Sequence, residues 1–253
     1  MAVLYGSADG LSTEGNQLWT QDSPGVPDQA ETPDLMGASM TIGDFDGDGY
    51  PDLAADSFAE SVGAIEGAGG ITVLFGSADG LAADRAQEIT QAAPGVPDTP
   101  GRFDMFGSPV ASGDFDGDGC DDLVAGISNE GVGGVFHSGA AYVMPGSSDG
   151  LTTDGGALWT QDSPDVHDRA ERGDAFGAAL AVGNFGRGPY PDLAITARAE
   201  SFDDIAEAGS VTVLYSGTRG LTAAGNQRWT RDRVGVPGAA APQDWFGFSL
   251  AAS

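Results

Sequence analysis

Apolar positions in this chain fall into short runs separated by glycine-rich turns. Within residues 106–161, such runs occupy 107–114, 122–127, 138–144 and 157–161. Each run has the length of a β-strand, and none shows the spacing of three or four residues that marks an amphipathic helix. The pattern therefore predicts four short strands in this part of the chain.

The same pattern returns every 70 residues along the whole chain. One turn motif, ending in Gly-Leu, marks the repeat in four places: 5–11, 75–81, 145–151 and 215–221. No insertion or deletion interrupts the register between these copies. A fixed period of this length predicts a tandem array of one structural unit, in which each unit shares a core with its neighbours.

Four antiparallel strands per unit are typical of a β-propeller blade. The 41 glycines argue against helical repeats, and the coils of a parallel β-helix are far shorter than 70 residues. We therefore predict an all-β fold, a β-propeller of four-stranded antiparallel blades. The predicted divisions are a partial blade, three blades and the start of another: 1–35, 36–105, 106–175, 176–245 and 246–253.

Candidate chemistry is concentrated in two acidic loops that occupy equivalent places in the repeat. The first offers side-chain or carbonyl oxygen at alternate positions, from Asp44, Asp46, Asp48, Tyr50 (carbonyl) and Asp52. The second does the same with Asp114, Asp116, Asp118, Cys120 (carbonyl) and Asp122. Carboxylates crowded this closely repel one another unless a cation lies among them. The two loops therefore predict two metal sites.

Oxygen ligands without nitrogen or sulfur favour calcium over zinc or copper. Magnesium prefers few carboxylates and keeps its waters. We number each loop from its first Asp, so that Asp44 and Asp114 are position 1. An EF-hand would need Glu at position 12, where Ala55 and Ala125 stand, and the segments on either side of the loops have strand patterns. We therefore expect two structural Ca²⁺ ions in loops that each connect two strands.

A third copy of the loop has lost most of its carboxylates. Asn184 keeps an oxygen at position 1, but Gly186 and Gly188 replace the acids at positions 3 and 5. Asp192 retains its charge at position 9, and Arg187 enters the loop. We predict no metal here, with Arg187 either paired with Asp192 or facing solvent.

Composition narrows the range of partners. Asp and Glu number 38 against 10 basic residues, all of them Arg, and the net charge is −28. Such a charge repels phosphate backbones, so nucleic acid is excluded as a partner. No apolar run approaches the roughly 18 residues that a membrane-spanning helix needs. The lone Cys120 cannot form an internal disulfide.

No catalytic constellation emerges from the sequence. The two histidines, His137 and His167, lie in polar or glycine-rich connections without a repeated partner. No Gly-x-Ser-x-Gly elbow is present. A glycosidase pair of carboxylates has little support, because most Asp residues belong to the acidic loops or connections. We therefore predict a non-enzymatic segment.

The combination of these loops with Phe-Gly pairs about eight residues upstream resembles FG-GAP repeats, the blades of integrin α-subunit propellers and of bacterial secreted proteins. The pairs stand at 106–107, 176–177 and 246–247, and Met36 departs from the pattern at 36–37. The resemblance implies that the acidic loops join the first two strands of a blade and that ligands bind at the opposite face. Such propellers usually have seven blades, which implies an incomplete ring here, with open blade edges available for self-association.

The resemblance implies a calcium-binding extracellular scaffold for adhesion or protein–protein interaction, with an unidentified protein or glycan as ligand. Two alternatives stay open. The first is a carbohydrate-binding, lectin-like propeller. The second is the non-catalytic repeat region of a secreted hydrolase of the phospholipase D type. In each case we expect secretion, directed by a signal peptide that this chain lacks.

Overall fold

The computed structural model describes residues 1–186 and 188–252, and its regular structure is almost entirely β. The chain begins with a two-stranded antiparallel sheet, formed by β1 (Ala2–Ser7) and β2 (Gly10–Leu18). Three four-stranded antiparallel sheets follow, which we call the first, second and third blades. A short 3₁₀ turn at Val132–Gly134 lies within the second blade.

The strands of each blade follow one another in the sequence and in the sheet. The first blade contains β3 (Met40–Gly43), β4 (Asp52–Ser57), β5 (Gly70–Phe75) and β6 (Ala82–Thr90). The second contains β7 (Val110–Gly113), β8 (Asp122–Ile127), β9 (Ala140–Met144) and β10 (Ala157–Trp159). The third contains β11 (Phe176–Gly183), β12 (Asp192–Ala197), β13 (Ser210–Tyr215) and β14 (Thr222–Trp229).

Successive blades pack through their first strands. Strand β3 contacts β7, and β11 contacts β7, β8 and β9. This arrangement confirms the predicted fold class, an incomplete propeller of four-stranded antiparallel blades. The two-stranded sheet lies beside the first blade, where Gln17 Nε2 donates to the carbonyl of Leu81 at 2.8 Å.

The middle strands of the three blades are buried along their whole length: β4, β5, β8, β9, β12 and β13. Both faces of these strands pack against other elements, which explains why their apolar residues follow one another in the sequence instead of alternating with exposed polar ones. The second residue of each acidic loop joins this core, since Phe45 and Phe115 are fully buried between blades. The equivalent Phe185 is 41% exposed.

The Phe-Gly pairs bring neighbouring blades into close contact. Phe106 and Phe176 are fully buried. Gly177 has φ +88°, and a Cβ there would lie 2.1 Å from the carbonyl oxygen of Ala140. Glycine is required at that position both for its left-handed backbone and for the close approach of the two blades.

Strand direction divides the connections between two ends of each blade. The acidic loops join the first and second strands, and the tight turns between the third and fourth strands lie at the same end. The longer connections, such as 58–69 and 91–109, lie at the opposite end. No helix in the described part of the chain has the length and apolar character needed to cross a membrane.

Candidate metal centres

The first acidic loop connects β3 to β4 and gathers three carboxylates. One oxygen from each of Asp44, Asp46 and Asp48 lies within 4.8 Å of the others. Asp46 is buried, and its Oδ2 also accepts a hydrogen bond from Arg85 Nη1 at 2.8 Å. The loop therefore concentrates negative charge that a single arginine balances only in part.

Local sequence folds the loop around this cluster. Gly47 and Gly49 adopt φ values of +68° and +88°, which glycine reaches without strain. The N–H of Gly49 donates to Asp44 Oδ2 at 2.9 Å, and that of Tyr50 donates to Asp48 Oδ1 at 2.8 Å. These bonds hold the carboxylates in one orientation before any ligand is added.

One oxygen of the first loop is left without a partner. Asp44 Oδ1 is buried, and no described residue donates a hydrogen bond to it. A buried carboxylate oxygen that lacks a donor is costly unless a cation or water satisfies it. The residues of this loop therefore fit a hard cation bound by oxygen.

The second acidic loop connects β7 to β8 and repeats the arrangement. Oxygens of Asp114, Asp116 and Asp118 lie within 4.8 Å of one another. The N–H of Gly119 donates to Asp114 Oδ2 at 3.2 Å, and that of Cys120 donates to Asp118 Oδ1 at 2.8 Å. Among the ion pairs of the described residues, none involves these three carboxylates, in contrast to the Arg85 pair of the first loop.

The position-9 aspartates are not members of the three-carboxylate clusters, and their oxygens accept hydrogen bonds from the backbone. Asp52 accepts N–H bonds from Phe45 at 2.7 Å and Gly76 at 2.7 Å. Asp122 makes the same two contacts in the second blade. Burial raises the pKa of Asp52 to about 6 and that of Asp122 to about 7, and these N–H groups oppose the rise. Each carboxylate thus links the acidic loop to the turn after the third strand by two hydrogen bonds, and we call this link the position-9 tie.

The third loop keeps this tie without the cluster. Asp192 is fully buried and accepts N–H bonds from Phe185 at 2.8 Å and Ser216 at 3.0 Å. Asn184 spans the loop, because its Nδ2 donates to the carbonyl of Gly188 at 2.8 Å. Arg187, and with it the predicted pairing to Asp192, lies outside the described residues.

The sequence analysis missed a second set of buried carboxylates, at the opposite end of the blades. Glu60, Glu130 and Glu200 are each at most 5% exposed and accept a hydrogen bond from the Gln that lies 39 residues earlier. Burial raises the pKa of Glu130 to about 7, and nearby Asp104 and Asp98 add to the rise. The Gln and the Glu of each pair recur every 70 residues, and this repetition is the sequence signal that could have identified the pairs.

Among the ion pairs of the described residues, only the third Gln–Glu pair, Gln161 and Glu200, has a basic partner. Arg228 Nε lies 2.9 Å from Asp168 Oδ2, and its Nη2 lies 3.0 Å from Glu200 Oε1. The pKa of Glu200 is nevertheless raised to about 8, mainly by burial and by the charges of Asp168 and Asp174. These Gln–Glu pairs connect successive sheets of the chain, and Glu60 also forms a group with Glu31 and Asp34, in which one oxygen of each residue lies within 4.8 Å of the others.

Family comparison agrees with the repeat structure. Residues 36–74 and 106–144 match the model of the FG-GAP repeat, so the chain contains FG-GAP repeats. These two segments hold the first and second acidic loops. The third loop lies outside both matched segments.

Comparison with whole proteins finds partial matches. The chain is 32% identical to phosphatidylinositol-glycan-specific phospholipase D of Rattus norvegicus over 118 residues. The aligned stretch covers 47% of this chain and 14% of that enzyme. Among solved structures, the rhamnogalacturonan lyase YesW is 15% identical, with a TM-score of 0.43 over 78% of this chain and 34% of the lyase. Bacillus licheniformis rhamnogalacturonan lyase PL11 is also 15% identical, with a TM-score of 0.43 over 81% of this chain and 37% of the lyase.

Proposed function

We propose that this propeller segment of FG-GAP repeats is a calcium-binding scaffold, with one Ca²⁺ in each of the loops 44–52 and 114–122. The observation that carries the proposal is the pair of three-carboxylate clusters, together with the buried Asp44 Oδ1 that no described residue satisfies. Calcium takes six to eight oxygen ligands in a flexible geometry, which suits these loops.

Side-chain oxygens of Asp44, Asp46 and Asp48 would hold the first ion, and those of Asp114, Asp116 and Asp118 would hold the second. The carbonyls of Tyr50 and Cys120 and the remaining lone pairs of Asp52 and Asp122 would complete the two sets. When bound, calcium neutralises the clustered carboxylates and stiffens the connection between the first two strands of a blade. Its role is structural.

Thermal unfolding in calcium and in chelator tests the proposal. Extracellular calcium modules have Kd values of about 10⁻⁴–10⁻³ M. At about 10 mM calcium, which is roughly 10 to 100 times such a Kd, each site adds about 1.4–2.7 kcal/mol to the free energy of unfolding. We therefore expect a clear rise in the unfolding midpoint when chelator is replaced by about 10 mM calcium.

Two variants localise the effect. The double variant Asp116→Asn, Asp118→Asn should lose at least half of the calcium-dependent stabilisation, since one of the two sites is disabled. The control Asp149→Asn removes a charge from an exposed turn outside both clusters and should respond to calcium as the unmodified chain does. A midpoint that calcium leaves unchanged would refute the proposal.

We further propose that the scaffold acts outside the cell in adhesion or protein–protein interaction and has no catalytic activity of its own. Large apolar side chains are exposed on the connections at the end opposite the acidic loops: Phe103 (46%), Phe136 (57%) and Trp245 (40%). Exposed aromatic side chains are enriched where proteins bind partners. These connections are the surface on which we place the protein partner.

A second candidate function is the repeat region of a larger secreted hydrolase, favoured by the match to a phospholipase D. In that case the present segment would be inactive alone. Assaying this segment and the product of its complete reading frame for phosphodiesterase activity on glycosyl-phosphatidylinositol separates the two. Activity confined to the longer product would support this candidate, and activity in neither would favour the adhesion scaffold.

A further inference from the structure

The first and second acidic loops are directly bonded to each other through Asp121. The N–H of Asp44 donates to Asp121 Oδ2 at 2.9 Å, and the N–H of Asp121 donates to the carbonyl of Asp44 at 2.7 Å. This reciprocal pair joins the first ligand position of one loop to the residue between positions 7 and 9 of the other. Cys120 adds a packing contact, since a Cβ at Gly47 would lie 3.0 Å from its Sγ.

The Asp121 carboxylate lies against the start of the first loop. Its Oδ2 accepts the hydrogen bond from the N–H of Asp44, and a Cβ at Gly43 would lie 3.0 Å from the same oxygen. Any cation that fixes residues 120 and 122 also fixes Asp121, and through it the backbone of Asp44.

The second and third loops are not joined by an equivalent pair of hydrogen bonds. Pro191 stands where Asp121 stands in the second loop, and proline has neither a carboxylate nor an N–H. Its ring instead approaches Gly113, where a Cβ would lie 3.2 Å from Pro191 Cγ. The reciprocal hydrogen-bond pair is therefore specific to the two loops that carry acidic clusters.

The two clusters also differ in whether an arginine already binds one of the carboxylates that a metal cation would use. In the first loop Arg85 occupies Asp46 Oδ2 at 2.8 Å, whereas none of the described ion pairs involves the second-loop cluster. A bound guanidinium must be displaced or must share its carboxylate before calcium can use that oxygen. The second loop therefore offers the less obstructed site.

We propose that the two calcium sites are coupled and unequal: the second loop fills first, and Asp121 then positions Asp44 so that the first loop binds more tightly. This inference rests on the proposed function, because it concerns the order and linkage of the same two ions. Asp121 is a positioning residue here, since it acts on the first ion through Asp44. Coupling of this kind commonly amounts to a 5- to 150-fold change in affinity.

Calorimetric calcium titration of loop variants tests the coupling. Asp116→Asn with Asp118→Asn leaves the first loop to bind alone, and Asp46→Asn with Asp48→Asn leaves the second loop alone. We expect the first loop alone to bind about tenfold more weakly than in the second step of the unmodified chain. The second loop alone should retain the affinity of the first step.

The substitution Asp121→Ala is then added to the unmodified chain and to each of the two double variants, which gives a mutant cycle. In that background the affinity of the first loop should be the same whether or not the second loop can bind. Asp149→Ala, which removes an equal charge from an exposed turn, should leave the tenfold difference intact. Far-UV circular dichroism in chelator verifies that each variant keeps its β-structure.

The outcomes are distinguishable. Two calcium ions that bind independently, or coupling that survives Asp121→Ala, would overturn the inference while leaving the proposed function standing. Coupling abolished equally by Asp149→Ala would also overturn it, because general charge and not the Asp121 contact would then be responsible. Absence of calcium uptake by the unmodified chain would overturn the proposed function and this inference with it.

Discussion

Replacing Asp192 with Ala isolates the carboxylate tie that all three loops share. Asp192 is fully buried, and its two oxygens accept N–H bonds from Phe185 and Ser216 at 2.8 and 3.0 Å. The third loop lacks the three-carboxylate cluster, so the change affects the tie without affecting a proposed metal site. The variant therefore measures what position 9 contributes to the fold alone.

The expected loss follows from the two hydrogen bonds. Each bond to a charged acceptor contributes about 1.5–3 kcal/mol, and a buried donor left unpaired costs about 1–3 kcal/mol. Phe185 is 41% exposed, so water can reach part of this site and reduce the penalty. We expect Asp192→Ala to lower the free energy of unfolding by about 2–4 kcal/mol. Asp192→Asn, which keeps one acceptor oxygen, should lose roughly half as much.

Urea unfolding followed by circular dichroism in chelator measures these losses. The control is Thr218→Ala, a change at an exposed residue of the turn after the third strand, which should stay within about 0.5 kcal/mol of the unmodified chain. A loss below about 1 kcal/mol for Asp192→Ala, or an equal loss for the control, would refute the assignment of position 9 as a structural tie.

Two further predictions concern the buried carboxylates at the opposite end of the blades, both measured by urea unfolding in chelator. Because the pKa of Glu130 is raised from 4.5 to about 7, the folded chain holds this proton more tightly, and its contribution to stability falls as pH rises from 4.5 through 7. Glu130→Gln should therefore stabilise the chain by roughly 1–3 kcal/mol at pH 8 and leave it unchanged at pH 4. The unpartnered Gln91 Oε1 could accept the new amide hydrogen, and an effect independent of pH would contradict the reasoning. Arg228→Met should cost about 2 kcal/mol at pH 8, since it leaves Asp168 and Glu200 without their cation, and less at pH 5, where Glu200 is protonated. An equal loss at the two pH values would count against that explanation.

The strands and acidic loops could be predicted because their signals are local. Continuous apolar runs such as 122–127 identify buried middle strands, and Asp at alternate positions identifies the clusters at 44–48 and 114–118. The 70-residue period then places each element in the same position of each blade. None of these inferences requires knowing which distant residues meet.

The contacts of position 9 could not be predicted in the same way. The sequence analysis assigned Asp52 and Asp122 only as metal ligands, whereas their hydrogen bonds reach the turn after the third strand, 24 residues away. That contact depends on the pairing register of the second and third strands, which spacing does not specify. The Gln–Glu pairs pose the same problem, since a span of 39 residues is visible as a repeat but not as a contact.

The presence of Asp192 in the third loop therefore has a physical explanation that the metal hypothesis alone does not supply. If position 9 served only a cation, a buried carboxylate would have no role in a loop whose positions 3 and 5 are Gly186 and Gly188. A buried, unpaired carboxylate is costly, yet here two N–H groups satisfy it. The contact made by position 9 belongs to the blade fold, whereas the acidic cluster is formed by positions 1, 3 and 5 of the same loop. Blades of this chain can thus keep one architecture while differing in whether they are equipped to bind calcium.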